Sequence, residues 1–231
     1  MPKIDFLDIV FPKNCLGCGK SGSYICDFCI AKEITFKQVC PKCGKPAIDG
    51  MTHSKCRRKL GLDGQISLWG YSGVARKAIL ALKYKFAREV AKELARHAVE
   101  NINKLGLVFP KNPVLIPIPL YWYRGNVRGF NQSEEIGRLI AKNFGWEFAP
   151  DLIIRTASTV PQAGLKRKDR LKNLRGVFAL NSAHKPLTIS HQPLILFDDV
   201  WTTGSTIKEA AKVFKRKGAT SVWGFTLAVT R

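Results

Sequence analysis

A mainly parallel α/β sheet with flanking helices, preceded by a small cysteine-rich unit, is the fold class that three features of this 231-residue sequence predict. All seven cysteines fall before residue 57, in closely spaced pairs. From about residue 66 short apolar runs alternate with segments of helical periodicity. One of those runs ends in adjacent acids and a hydroxyl- and glycine-rich turn that opens a helix, as strand–loop–helix units do. The two units are expected to divide as residues 1–62 and 63–231. Hydrophobic residues make up 45% of the chain and charged residues 24%, which fits globular domains and excludes a disordered chain.

The cysteines come first. They read Cys15-x-x-Cys18, Cys26-x-x-Cys29 and Cys40-x-x-Cys43, and His53 stands three positions before the lone Cys56. An x-x spacing lets two side chains reach one ion from a tight turn, and two such pairs complete a tetrahedral Zn²⁺ site. NCLGCGK and VCPKCGKP resemble zinc knuckles, and each is followed by a further pair, so the segment is an internal repeat that predicts two ions. Sequential pairing puts Cys15, Cys18, Cys26 and Cys29 on one ion and Cys40, Cys43, His53 and Cys56 on the other. A cross-braced arrangement would use the same eight residues. Protein fills every ligand position, so the expected role is structural. Disulfides fit poorly, because the start MPKIDFLDIVF is broken by Asp5 and Asp8 and makes a poor export signal.

The second unit follows in order. Ala75, Ala78, Ile79 and Leu82 keep helical spacing, as do Val90, Leu94, Ala98 and Ile102. Val114 to Leu120 reads as a buried strand ending in prolines. Asn131 with Glu134 resembles a capping box for a helix through Ile136, Leu139 and Ile140 that stops at Gly145. A second buried strand from Pro193 to Phe197 leads into Asp198-Asp199-Val-Trp-Thr-Thr-Gly-Ser-Thr206. A helix with Ile207, Ala210, Ala211 and Phe214 on one face then precedes Gly218, and Val222 to Val229 forms a closing strand.

Ligands of such sheets bind beyond the carboxyl ends of strands. The loop Thr202, Thr203, Gly204, Ser205 and Thr206 offers hydroxyl donors and close backbone approach at a helix N-terminus, with Thr206 and Glu209 in capping-box register. An anion-binding loop on one side and the carboxylates of Asp198 and Asp199 on the other suggest a ribose 5-phosphate, held through its phosphate and its vicinal hydroxyls.

Charge points to a second ligand class. Thirty-eight Lys and Arg against 17 Asp and Glu give +21, which fits a polyanionic partner such as nucleic acid. Between Lys166 and Arg175 six of ten residues are basic. Aromatics lying near basic residues (Tyr84, Phe86, Tyr121, Trp122, Tyr123 and Phe130) could stack bases or belong to the core. The longest apolar stretch, Val114 to Tyr123, is about half of what a membrane crossing needs, so no membrane insertion and a cytoplasmic location are expected.

LILFDDVWTTGST resembles the fingerprint of type I phosphoribosyltransferases, which bind phosphoribosyl pyrophosphate (PRPP). Together with the multi-cysteine N-terminus, ALKYK at 81–85 and IPIPLYWYRGNVRGFNQSE at 116–134, it resembles the ComF family of competence proteins over nearly the whole chain.

The resemblance implies a type I phosphoribosyltransferase-like fold and assigns roles. Asp198 and Asp199 would hold ribose hydroxyls, and Thr202 to Thr206 the 5-phosphate. Pro119, Leu120 and Tyr121 would form the pyrophosphate loop, where such folds often carry a cis peptide. Arg128 and Gln132 lie in the family's RGFNQ signature; Gln162, Lys166, Arg170 and Asn173 would belong to a flexible loop closing over the site. Mg²⁺ would arrive with PRPP, held largely by substrate oxygens and water.

Two functions follow. One is the handling of single-stranded DNA during natural transformation, with the PRPP site sensing or regulating and a competence helicase or translocase as a possible partner. The other is phosphoribosyl transfer to an unidentified base or amine with release of pyrophosphate. Thr202 stands where the 6-oxopurine branch has an aspartate base, which argues against guanine or hypoxanthine salvage.

Overall fold

The computed structural model describes residues 13–82, 87–120, 131–156, 176–182 and 191–230. Its centre is a sheet of five parallel strands in the order β1-β7-β6-β2-β3. These are β1 (Gly64–Gly70), β2 (Val114–Pro117), β3 (Glu147–Phe148), β6 (Leu194–Trp201) and β7 (Val222–Val229). β4 (Ile153–Arg155) and β5 (Phe178–Leu180) pair antiparallel as a separate ribbon. The helices are α1 (Asp27–Ala31), α2 (Gly73–Ala81), α3 (Ala87–Leu105), α4 (Gln132–Phe144) and α5 (Ser205–Arg216).

Strand alternation explains why both faces are covered. Leu115, Ile195, Phe197, Phe225 and Leu227 point to one side, where Ala75, Ala78, Leu94 and Ile136 of α2, α3 and α4 meet them. Val114, Ile116, Leu194 and Leu196 point to the other, against Ile207, Ala210 and Phe214 of α5. A parallel sheet buried on both faces needs near-continuous apolar strands, as β2 and the first half of β6 are. Ala75, Ala78, Ile79 and Leu82, and likewise Val90, Leu94, Ala98 and Ile102, are buried as their spacing predicts.

Helix ends repeat the lesson with one correction. Asn131 caps α4, accepting from the Ser133 N–H at 3.2 Å, and Gly145 ends the helix at φ +64°. Glu134 does not complete a capping box; it pairs with Arg138 at 2.6 Å. The expected Thr206–Glu209 box is also not formed. α5 starts from Gly204, which puts Thr206 inside the first turn, and Glu209 is buried, accepting from the Gly176 N–H at 3.2 Å and pairing with Lys212 at 2.6 Å.

The cysteine-rich segment is stitched to the sheet. A Gln38 amide donates to the Ser67 carbonyl at 2.9 Å and accepts from the Ser67 N–H at 3.1 Å, while Thr35 bridges Trp69. Residues 35–38 therefore cover the outer edge of β1. Glu93 of α3 accepts from the N–H groups of Tyr24 (3.1 Å) and Ile25 (2.6 Å) at the first metal site. Glu33 accepts from Val74 N–H and from Ser72 Oγ at 3.2 Å, supplying the first turn of α2 with the cap its own residues lack. Among the described residues no helix is long and apolar enough to cross a membrane.

Candidate functional site

Two side-chain clusters in the N-terminal segment bring all eight expected ligands together. The ligand atoms of Cys15, Cys18, Cys26 and Cys29 lie within 4.8 Å of one another, and so do those of Cys40, Cys43, His53 and Cys56. Pairing is thus sequential. A tetrahedral Zn²⁺ with Zn–S bonds of about 2.3 Å sets its sulfurs about 3.8 Å apart. Cys15 and Cys26 Sγ are 3.5 Å apart, and Cys18 and Cys26 Sγ 3.8 Å. In the second cluster Cys43 Sγ is 3.4 Å from His53 Nδ1. His53 Nε2 lies 3.0 Å from the Pro46 carbonyl; donating to it leaves Nδ1 bare for a metal.

The repeat is visible in the backbone. Cys15 N–H bonds the Lys20 carbonyl and Cys40 N–H the Lys45 carbonyl, both at 2.9 Å, closing two equivalent knuckles. Burial alone would raise Cys15, but N–H groups of Cys26, Cys18 and Gly17 donate to its sulfur and bring it down to about 6. Cys40 is brought to about 6 in the same way, by Cys43, His53 and Lys42. Burial and the neighbouring sulfurs push Cys29 up to about 12. Four crowded thiols of this kind favour a bound dication, which allows all of them to ionise together. A Cβ at Gly17 would sit 2.6 Å from Cys29 Sγ, so the knuckle needs glycine there.

The second site lies at the carboxyl end of β6. This strand runs beyond the expected Phe197 to Trp201, because β7 pairs with it throughout, Asp198 opposite Thr226 and Trp201 opposite Val229. β2 stops at Pro117, opposite Phe197, although its strand is expected to reach Leu120. Pro117 and Pro119 have no N–H to continue the ladder. Among the described residues no strand pairs with this edge of β6 past Phe197, and Asp198 and Asp199 stand at that step. Asp198 Oδ1 accepts from Ser133 Oγ at 3.2 Å and from the Asp199 N–H at 3.0 Å. Burial first, and then the Asp199 carboxylate, push Asp198 up to about 8, with Ser133 and Arg155 among the groups opposing the rise. Raised in this way, the Asp198 carboxyl is suited to donate a hydrogen bond as well as accept one. Tyr71, just past β1, is raised by burial and also by the Asp199 charge, while Arg76 opposes the rise.

The turn after β6 has the form of an anion cradle. Gly204, at φ +67°, takes the left-handed conformation that starts α5, and a Cβ there would lie 2.1 Å from the Trp201 ring. Thr203 and Ser205 hydroxyls are 2.9 Å apart. The first N–H groups of α5 have no intrahelical partner, which makes the turn favourable for an anion. Lys208 Nζ donates to the Thr203 carbonyl at 3.1 Å and lies 4.9 Å from the Trp201 ring centroid, bracing the turn.

Among the other expected site residues, Gln132 is buried and donates to the Leu82 carbonyl at 3.3 Å. Pro119 and Leu120 follow β2 at the step beside the acids, and peptide bonds among the described residues are trans. Tyr121, Arg128, Gln162, Lys166, Arg170 and Asn173 lie outside the described residues, as do Tyr84, Phe86, Trp122, Tyr123 and Phe130. Sequence reasoning overlooked Ser133, Arg155 and Tyr71. Ser133 is within the RGFNQSE run and two residues past a cap, a signal that could have singled it out. Arg155 ends the three-residue β4 and Tyr71 follows β1, and neither position carried a signal.

An N-terminal metal-binding repeat fused to a parallel α/β domain, with an acid pair and a hydroxyl- and glycine-rich turn at one strand end, defines the class of protein. The double zinc ribbon domain family matches residues 6–58. The DNA utilization protein YhgH of Escherichia coli O157:H7 is 30% identical over 214 residues, covering 89% of this chain and 90% of that protein. Competence protein ComFC of Bacillus subtilis (strain 168) is 28% identical over 222 residues, covering 90% of this chain and 85% of that protein. The chain belongs to the ComF family, and its N-terminal unit is a double zinc ribbon. A glutamine PRPP amidotransferase from B. subtilis is a structural neighbour at TM-score 0.38 and 14% identity, covering 61% of this chain and 27% of that one.

Proposed function

We propose that the chain is a cytoplasmic protein that handles single-stranded DNA during natural transformation and uses the β6 cradle to bind PRPP with Mg²⁺. The observation that carries the PRPP half is the juxtaposition at one strand end of the acid pair and the Gly204 turn. A phosphate fits the turn's N–H and hydroxyl donors, and vicinal hydroxyls fit a pair that both donates and accepts. Mg²⁺ would supply charge neutralisation of the pyrophosphate. Support for the DNA half is the +21 charge and the relatives' names, a DNA utilization protein and a competence protein. A competence helicase or translocase is the expected protein partner.

The test is titration of a labelled single strand at several salt concentrations, with and without Mg²⁺–PRPP. The slope of log affinity on log salt should be about −0.7 per phosphate contacted. PRPP should shift the affinity if the cradle regulates strand handling. Absent or salt-independent binding would reject the DNA half. Pyrophosphate released only when an acceptor base or amine is added would instead establish phosphoribosyl transfer.

A further inference from the structure

A cavity of about 260 Å³ lies where the second zinc knuckle meets α5. Leu60 and Leu62 form an apolar part of its wall. Lys42 and Arg58 border it from the ribbon, and Lys208 and Lys212 from α5. Among the described residues no acidic one lines it, and Glu209 pairs with Lys212 at its border at 2.6 Å. Lys42 and Arg58 are exposed and make no ion pair among the described residues.

The site is built rather than incidental. Lys42 lies between the ligands Cys40 and Cys43, and its N–H is committed to the Cys40 sulfur, so the zinc site fixes that wall. Leu62 is fixed by Thr52, whose hydroxyl donates to the Leu62 carbonyl at 2.6 Å. Lys208 and Lys212 are one helical turn apart on a single face of α5. A small inorganic anion has no use for the leucines, and an apolar ligand has none for four cations. A flat group with negative charge on either side uses both. An unpaired nucleotide within a strand has that form, whereas a duplex keeps its bases stacked inside.

We propose that this cavity seats one nucleotide of a single-stranded nucleic acid, the base against Leu60 and Leu62 and the flanking phosphates on the two pairs of cations. The proposal rests on the strand-binding reading above and places the strand against the second ribbon. Lys208 belongs to both the cavity wall and the brace of the Thr203 turn, so the strand would lie next to the PRPP cradle.

The test uses the zinc-loaded full chain and a labelled oligothymidylate, comparing wild type, Lys42→Glu/Arg58→Glu and a charge-matched control, Lys32→Glu/Lys104→Glu. Zinc content and thermal stability should be the same in all three, because the altered side chains are exposed. The cavity variant should lose more than tenfold in affinity at moderate salt, and its salt slope should fall by about 1.4, two contacts' worth. A 4-thiothymidine strand should cross-link within residues 56–62 of the wild type. An equal loss in the control would overturn the proposal, since bulk charge would then explain binding. So would equal competition by a duplex of the same length, or cross-links confined elsewhere. If the wild type binds no strand at all, the strand-binding reading itself falls.

Discussion

Replacing Asp198 by asparagine probes the electrostatics of the cradle. Burial and the Asp199 carboxylate raise Asp198 from an ordinary 3.8 to about 8, so across that window the folded protein keeps a proton that the unfolded chain releases. Stability from this group is complete below about pH 4 and is lost as pH rises towards 8. Asparagine keeps the shape of the protonated acid and cannot ionise. Relative to the variant, the wild type should therefore lose up to about 1.4 kcal/mol for each pH unit between 5 and 7. In a chain of this length 1 kcal/mol moves Tm by roughly 2–4 °C. The gap in Tm should widen by about 3–6 °C per pH unit and level off above pH 8. Scanning fluorimetry of both zinc-loaded proteins at matched ionic strength measures it, and acid-driven loss of zinc affects both alike. A gap that stays constant from pH 5 to 8 would show that Asp198 ionises normally, and would refute the protonated-acid account of the site.

Gly204→Ala should cost about 1–3 kcal/mol through its left-handed backbone and its clash with Trp201, and should weaken PRPP binding in calorimetry. Adding Trp201→Leu should recover part of the stability, and no loss in the single variant would count against the strained-turn reading. Glu33→Ala should lower stability by about 1–2 kcal/mol by uncapping α2 from outside, seen as a lower denaturation midpoint with an unchanged denaturant slope. Elemental analysis should find two Zn²⁺ per chain; His53→Ala should retain about one, and His53→Cys should restore the second.

The zinc ribbons were legible because ligand chemistry fixes spacing: eight residues in four x-x pairs leave few tetrahedral solutions. The helices around Ala78, Leu94, Ile140 and Phe214 were legible because each buries a continuous stripe. β1 was harder to read. Its sequence GQISLWG puts Gln65 and Ser67 into fully buried positions, where the Ser67 and Thr226 hydroxyls meet at 2.6 Å and Gln65 donates to Ser67. Polar residues satisfied by tertiary partners look like surface in one dimension. β3, β4 and β5 are two or three residues long, too short to show a period. The acid pair and the Gly204 turn were found from residue type alone. The strand's continuation past the acids was not, because it depends on β7 outlasting β2, a property of the register and not of either segment. Ser133 was missed for a related reason: it reaches Asp198 across 65 positions of sequence.

The stretch around Thr35 and Gln38 that lies along β1 has an implication for how this protein can be handled. A row of unsatisfied amides on a parallel sheet is a template on which further chains can add, and here it is masked by the segment that joins the two ribbon sites. Stripping the zinc, or expressing residues 63–231 alone, would bare that row and invite strand-to-strand polymerisation. The ribbon would in this sense act as a guard on the sheet's edge as well as a binding module.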